Sequence, residues 1–491
     1  MSVKVLVLRK VGIVASLSTV IDAQLILNDG EERNVKAEEL VQIHNRNGNE
    51  VMAVCRTAVG SNENLSIGGF SPGIAYARLG KRPSSAKEYY AFMLDVLGDV
   101  SKGTLQQNKT VLAPGSDVEL YEDTDNPMTF LGISHGRVGY YKDHPNWMVP
   151  MNANFIAYHI GVFATTGAGK SLLTRHQIVP FLQKAGYDVL IIDWKGSDYA
   201  PFAKSKFTMA DLALDDENVA DYLRAAMNDF GYYVPHMIER NPMRSALEEV
   251  TLEREWRKHK TPTELHNYLE NEVTNRIAAE HTKEGASGPD YYGKQYMARF
   301  KESLAKVTDT ELANVMGNVE PKDIIDKLRS DHYVAIDVSA GLKEMKLSVF
   351  LTVANCLRQM MQEKQQLQIA LVIDEGPQYC PFMPRGLEGK TNDTISDLCA
   401  LGRSYALSVV ILSQGMAGEI GINAAVRRNL NTQFIGKIHP LDMEEAKRLL
   451  SQGKIDEKSL TMLPEGDFYF IGKMNPSPVP LLIHFDLPEG G

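Results

Sequence analysis

The sequence predicts an α/β protein with a mostly parallel sheet, preceded by a β-rich N-terminal domain and interrupted by a helical insertion. Three observations carry that reading. Apolar runs at Ile156–Phe163, Val189–Ile192, Tyr333–Ile336, Ile369–Ile373 and Ser408–Leu412 alternate with helix-length stretches. Uninterrupted apolar strands spaced by helices imply a parallel sheet covered on both faces. The first 140 residues show short β-branched runs instead, and residues 205–325 show helix starts without apolar strands. The expected organisation is therefore a β-rich domain over 1–140 and an α/β domain over 141–491, with the insertion at 205–325.

At the N-terminus Val3, Val5 and Val7 alternate as in a strand. Arg9-Lys10 breaks the apolar stretch, and Asp22 and Gln24 follow without a small-residue cleavage site, so a strand is favoured over a signal peptide. Thr19–Leu27 and Glu50–Thr57 read as strands, and Asn28-Asp29-Gly30 as a hairpin turn. Val59–Ser85 loosens into Gly, Ser, Pro and Asn, including Gly68-Gly69 and Ser71-Pro72-Gly73. Apolar residues every three or four positions predict a helix over Ala86–Leu97, and Thr110–Tyr121 is strand-like again. In the α/β part, the helix after the first strand starts near Gly169 and stops at Gly186. Ser245…Glu248, Thr261-Pro262…Glu264 and Thr308…Glu311 are capping-box starts, and Glu253 and Arg257 form an i,i+4 pair.

Composition limits the function classes. The 491 residues carry 52 Lys+Arg and 62 Asp+Glu, a net charge of 52 − 62 = −10, which argues against a uniformly basic surface but leaves room for a basic channel. Ordinary apolar content excludes a disordered or fibrous chain. No run approaches the roughly 18 apolar residues of a membrane span. Cys55, Cys356, Cys380 and Cys399 lie far apart without a CxxC pair, as expected of free thiols in a reducing cytoplasm.

The chemistry is concentrated in the α/β part. The first strand runs into Ala164-Thr165-Thr166-Gly167-Ala168-Gly169-Lys170-Ser171, followed by a helix. This is a Walker A pattern with Ala for the first Gly. Thr166, Gly167, Ala168, Gly169, Lys170, Ser171 and Leu172 are the expected nucleotide-binding segment: backbone amides face phosphate oxygens, Lys170 reaches the β and γ phosphates, and Ser171 ligates Mg²⁺. A chance glycine-rich turn would not bring strand, loop, Lys-Ser and helix in that order. The strand Ile369–Ile373 ends in Asp374-Glu375. Asp374 suits the Mg²⁺ water shell and Glu375 an attacking water. An apolar strand ending in Asp-Glu often only caps the next helix; the upstream phosphate loop tips the balance toward ATP hydrolysis. Ser408–Leu412 ends in Ser413-Gln414, and Gln414 is a candidate sensor of the γ-phosphate, against the plainer reading of a satisfied loop glutamine. Arg403, Arg427 and Arg428 are candidates for an arginine finger.

The combination of the phosphate loop, Asp193-Trp194-Lys195-Gly196-Ser197-Asp198-Tyr199, Asp374-Glu375, Gly402-Arg403…Ser413-Gln414 and Leu463-Pro464-Glu465-Gly466-Asp467 resembles the HerA branch of the HerA/FtsK family of DNA-translocating ATPases. The likeness covers about 150–205 and 330–485 and includes the lead-in Asn154-Phe155…His159. It implies a RecA-like core, a hexameric ring with ATP sites between subunits, double-stranded DNA in the central channel and an N-terminal small β-barrel. It carries Lys170, Ser171, Asp374, Glu375 and Gln414 to the ATP site and puts Arg403 near the sensor strand. Two positions depart: Ala400-Leu401-Gly402-Arg403 stands where many relatives have Arg-Glu-Gly-Arg, and Tyr158 where some have Arg. HerA proteins partner nucleases, and mesophilic bacterial relatives pair with anti-phage effectors.

Lys195 and Lys204 on one loop, and Arg385 and Lys390 on another, are candidate DNA contacts, although ordinary solvated side chains explain each equally well. Two readings stay open: a motor moving along duplex DNA, and a nucleotide-controlled hexameric scaffold that organises an effector. A conjugation or packaging ATPase is disfavoured, since membrane spans or an appended nuclease domain are expected there.

Overall fold

In a computed structural model, residues 8–67, 72–83, 88–133, 136–231, 241–283 and 286–487 are described. The chain divides into two units, one holding Met1–Ile156, Val162–Phe181 and Asn431–Gly491, the other Ala157–Gly161 and Leu182–Leu430.

The first unit begins with β1 (Arg9–Val14), β2 (Asp22–Leu27), β3 (Leu40–His44), β4 (Glu50–Ser61), β5 (Tyr89–Asp99) and β6 (Asp117–Leu120). They close into an antiparallel barrel in the order β1-β2-β5-β4-β3-β6, which leaves no open sheet edge. Val11, Leu25, Val41, Ile43, Ala53, Leu94 and Val118 fill its interior. The β-rich N-terminal expectation is thus met by a barrel. Arg56 on β4 is buried beside Glu38 and Asp95, and donates to the Pro480 carbonyl at 2.7 Å. The Tyr469 hydroxyl donates to Glu38 at 3.0 Å. The buried arginine is tolerated because both terminal nitrogens of its guanidinium meet acceptors, although its Nε is buried without one.

Three local expectations for this region are corrected. The helix expected over Ala86–Leu97 is strand β5 from Tyr89 onward. Phe92, Leu94 and Val96 alternate into the barrel, but Ala91, Asp95 and Leu97 on the other face are buried too. Burial on both faces erases the polar alternation and leaves a spacing that resembles a helix. A helix forms instead at Pro72–Arg78, in the stretch read as loose. Gly30 does adopt a left-handed turn, at φ 89°, but it leads into the single turn Glu31–Arg33. β2 pairs with β1 and β5, so there is no hairpin to β3. The strand expected at Val3–Val7, Gly68-Gly69 of the loosened stretch and Ala86-Lys87 of the expected helix lie outside the described residues.

The remaining strands are β7 (Arg137–Tyr141), β8 (His144–Pro150), β9 (Ile160–Phe163), β10 (Asp188–Asp193), β11 (Ser205–Thr208) and β12 (Tyr333–Asp337). They continue with β13 (Ile369–Ile373), β14 (Leu407–Ser413), β15 (Thr432–Ile435), β16 (Asp467–Gly472) and β17 (Leu481–His484). In the first unit, β15, β16, β17, β7 and β8 run side by side and antiparallel. In the second, β11-β12-β10-β13-β14 form a parallel sheet, in which Ile192 pairs with Ile373, Asp193 with Asp337 and Ile373 with Ile411. That register carries the polar residues following β10, β12, β13 and β14 to a common C-terminal edge, where open parallel sheets bind ligands.

The second unit also holds the helical insertion: Asp216–Ala226, Pro242–Leu252, Pro262–Glu280, Tyr291–Leu304, Asp309–Val315 and Pro321–Asp331. Thr261 and Thr308 form the expected capping boxes, accepting from the Glu264 and Glu311 amides at 3.2 Å each. Ser245 does not: Asn241 caps that helix, accepting from the Met243 amide at 3.0 Å. Glu253 and Arg257 do not pair either, because the helix stops at Leu252; Arg257 turns to Asp216 at 3.0 Å, and Glu253 meets Arg276. Strand β11 falls inside the stretch expected to lack strands. Its four residues alternate half-buried and exposed, so it has no apolar run to betray it.

Candidate nucleotide site

The phosphate loop belongs to the first unit. Thr166 and Gly167 are exposed, Ala168 and Gly169 buried, and Lys170, Ser171 and Leu172 half-buried. Gly167 and Gly169 sit at φ 78° and 93°, the left-handed region that side chains disfavour, and Gly169 caps the helix beginning at Lys170. No atom lies within 4 Å of where a Gly167 side chain would start, so backbone conformation rather than space asks for glycine there. The loop is braced from below. The Thr165 amide donates to Lys437 O at 2.7 Å, and the Gly466 amide donates to Ala168 O at 3.2 Å. The Leu463–Asp467 segment, noted in the sequence only for its family likeness, therefore supports the loop directly. Lys170 curls back, donating to Ala164 O at 2.6 Å and Thr165 O at 3.0 Å. The helix that follows runs to Lys184 with a π turn at Thr174–Ile178, and Gly186 ends it at φ 86°.

The acidic edge belongs to the second unit. Asp374 is 3% exposed, and its Oδ2 is buried without a hydrogen-bond partner. Burial, then the charge of Glu375, raises its carboxyl to a pKa of about 7, against the pull of Lys195. An orphaned buried carboxylate oxygen fits a site completed by a hydrated cation. Glu375 is left-handed, at φ 52° and ψ 52°, a backbone cost of about 1–2 kcal/mol for a residue other than glycine. Gly376 follows because any side chain there would start 2.4 Å from Ile411. The strained turn aims the Glu375 carboxylate at Gln414, whose Nε2 donates to Oε1 at 2.9 Å and Oε2 at 3.1 Å. Lys195 Nζ reaches the same Oε1 at 2.9 Å. Burial opposes the Lys195 charge, but the hydrogen bond to Glu375 and the charges of Glu375, Asp374 and Asp198 outweigh it and raise its pKa.

Asp374, Glu375, Gln414 and Lys195 are thus brought together, the last unexpectedly: a residue assigned to DNA by its loop position faces the carboxylate. Asp193 explains how. Its carboxylate accepts from the amides of Gly196, Tyr199 and Ala200, each at 2.9 Å, and folds the segment after β10 into a fixed turn. An aspartate closing an apolar strand, with glycine three residues on, was the available signal for this.

The other candidates lie apart from that cluster. Arg403 is exposed, its guanidinium 4.8 Å from the centre of the Tyr158 ring. The adjoining His159 is fully buried; its Nε2 bonds Cys399 O at 2.8 Å, and its Nδ1 accepts from the Val409 amide at 3.1 Å. Burial lowers its pKa to about 4, so it is neutral. Arg427 donates to the Met416 and Ile422 carbonyls and holds the loop after β14. Lys204 pairs with Asp331 at 3.5 Å and Lys390 with Asp221 at 2.7 Å, while Arg385 donates its backbone amide to Glu388. Among the described residues, no helix is long and apolar enough to cross a membrane.

Residues 136–359 match the family model described as Helicase HerA, central domain. No curated protein matches the chain by sequence. Among solved structures, VirB4 of Thermoanaerobacter pseudethanolicus is 14% identical, with a TM-score of 0.51, over 72% of this chain and 97% of that one. That likeness is one of fold. The bacterial conjugative coupling protein TrwB is 13% identical, with a TM-score of 0.46, over 75% of this chain and 93% of that one.

Proposed function

We infer that this chain, whose residues 136–359 match the HerA helicase central-domain model, is an ATP-driven DNA translocase. The observation that carries the reading is the acidic edge. A buried Asp374 with an unmet oxygen stands beside a Glu375 fixed by Gln414, in a protein that also has a phosphate loop. In this reading the amides of Thr166–Leu172 and the Lys170 ammonium hold the ATP phosphates. Ser171 and Asp374 would hold Mg²⁺, which when bound neutralises phosphate charge. Glu375 accepts the proton of a water whose oxygen bonds to the γ-phosphorus as the bond from that phosphorus to the bridging oxygen breaks. Gln414 keeps the carboxylate aimed and reports the γ-phosphate.

The finer parts of the proposal rest on the family. They are a hexameric ring with ATP between subunits, Arg403 as the finger supplied to a neighbour, duplex DNA in the channel, and a nuclease or anti-phage effector as partner. The proposed organisation is a barrel domain over 1–140 and an ATPase domain over 141–491 carrying the insertion. Four free cysteines agree with a reducing cytoplasm. The test is Glu375→Gln. The variant should bind ATP as the wild type does and turn it over roughly 10² to 10⁴ times more slowly, the range for a lost general base. Wild-type turnover would remove Glu375 from the reaction.

A further inference from the structure

The Lys195–Glu375 contact is at odds with both roles that its partners carry separately. A carboxylate that takes a proton from water needs lone pairs open to that water, yet this one already accepts three bonds, at Oε1 from Lys195 and Gln414 at 2.9 Å each and at Oε2 from Gln414 at 3.1 Å, so water competes for what remains. A lysine reaching for DNA needs a free ammonium, yet this one sits between Glu375 and Asp198, the latter at 3.8 Å. Its side chain is nevertheless 44% exposed, against 13% for Glu375, so a dissolved anion reaches the lysine and not the glutamate.

We propose that Lys195 is a positioning residue that restrains Glu375 in the resting chain and releases it when a DNA phosphate takes over its ammonium. The inference rests on the ATPase reading above and adds a physical link between DNA contact and hydrolysis.

The surroundings allow the lysine side chain to move while its backbone stays put. Asp193 accepts from the Lys195 amide at 3.3 Å, in addition to the three amides further along the turn. Trp194 is held on two sides: Lys346 Nζ donates to its carbonyl at 3.3 Å and lies 4.2 Å from its ring centre, and Tyr379 meets it edge-on at 5.3 Å. Gly196 passes so close to Asp337 that a side chain would start 2.4 Å from a carboxylate oxygen. The turn is therefore wedged, and the freedom lies in the four-carbon lysine stem. Gln414 remains on Glu375 after the lysine leaves, so release opens one side of the carboxylate without losing its aim. A half-exposed ion pair is weak, and a nucleic-acid backbone with closely spaced phosphates displaces it readily. Lys204 and Lys390 are also ion-paired, but to Asp331 and Asp221, so displacing them frees no residue of the acidic edge.

The experiment is steady-state ATP turnover by the full chain as wild type, Lys195→Met and Lys195→Arg, each with and without linear duplex DNA. Without DNA, Lys195→Met should turn over several-fold faster than wild type, DNA should add little more, and KM for ATP should stay within about twofold. Lys195→Arg should restore the slow resting rate and the DNA response, which a purely structural defect would not do. Resting turnover at or below wild type with DNA stimulation intact would overturn the proposal. So would a loss in proportion with and without DNA, which would make Lys195 catalytic. A KM raised many-fold with stimulation intact would assign the ammonium to nucleotide phosphate and also overturn it. If wild type itself ignores DNA, the motor reading and the release step fail together. The resting rate of Lys195→Met then decides the restraint alone: faster sustains it, unchanged ends it.

Discussion

Replacing Asp374 by Asn should stabilise the nucleotide-free protein while removing part of its function, and the gain should depend on pH in a defined way. The carboxyl is raised from 3.8 to about 7, first by burial and then by the neighbouring Glu375 charge. A group whose folded pKa lies above its unfolded one favours the fold fully below the unfolded value, and the contribution disappears as pH rises through the folded value. About three pKa units at 1.36 kcal/mol each amount to about 4 kcal/mol withdrawn from the wild type between about pH 4 and pH 8. The amide of Asn does not titrate. The stability difference between Asp374→Asn and wild type should therefore be smallest near pH 4 and grow by several kcal/mol toward pH 8, in buffer with a metal chelator. Calorimetric melts across that range measure it. Addition of Mg²⁺ with ATP should then raise the wild-type midpoint, and the variant should lack the magnesium-dependent part of that rise. A difference that stays flat with pH would refute the burial argument. An unchanged magnesium effect would refute the placement of the cation.

Other expectations are simpler to state. Lys170→Ala should abolish nucleotide binding, read by titration with a fluorescent ATP analogue, and unchanged affinity would sink the phosphate-loop assignment. His159 is neutral with its pKa lowered to about 4, so the stability it supports above about 6.5 should be lost as pH falls toward 4. His159→Gln should flatten that acid limb, and an acid limb identical to wild type would exclude the histidine as its source. Arg56→Met should destabilise the first unit by roughly 3–5 kcal/mol, because Glu38 and Asp95 then lose their cation. Acidification should narrow that loss, and a near-neutral substitution would show that the buried network is dispensable.

The central parallel strands were legible because they are buried apolar runs, and a run such as Ile369–Ile373 has few other homes in an α/β fold. The phosphate loop was legible because glycine spacing, Lys-Ser and a helix start are local requirements. What the sequence hid was long-range. Strand β5 looked helical because residues on both of its faces are buried, and β11 is too short to register. Lys195 looked like a surface lysine, since its partner Glu375 lies 180 positions away and is met only once Asp193 has folded the turn after β10. Arg403 was picked out by the family likeness, but not its seat on Tyr158, which depends on packing between distant segments.

The most direct test of the account is ATP turnover by the purified protein with and without linear duplex DNA. The account predicts measurable hydrolysis that rises several-fold when duplex DNA is added. Hydrolysis indifferent to DNA would contradict the motor, and absent hydrolysis in a protein that binds ATP would contradict the assignment of Glu375 as well.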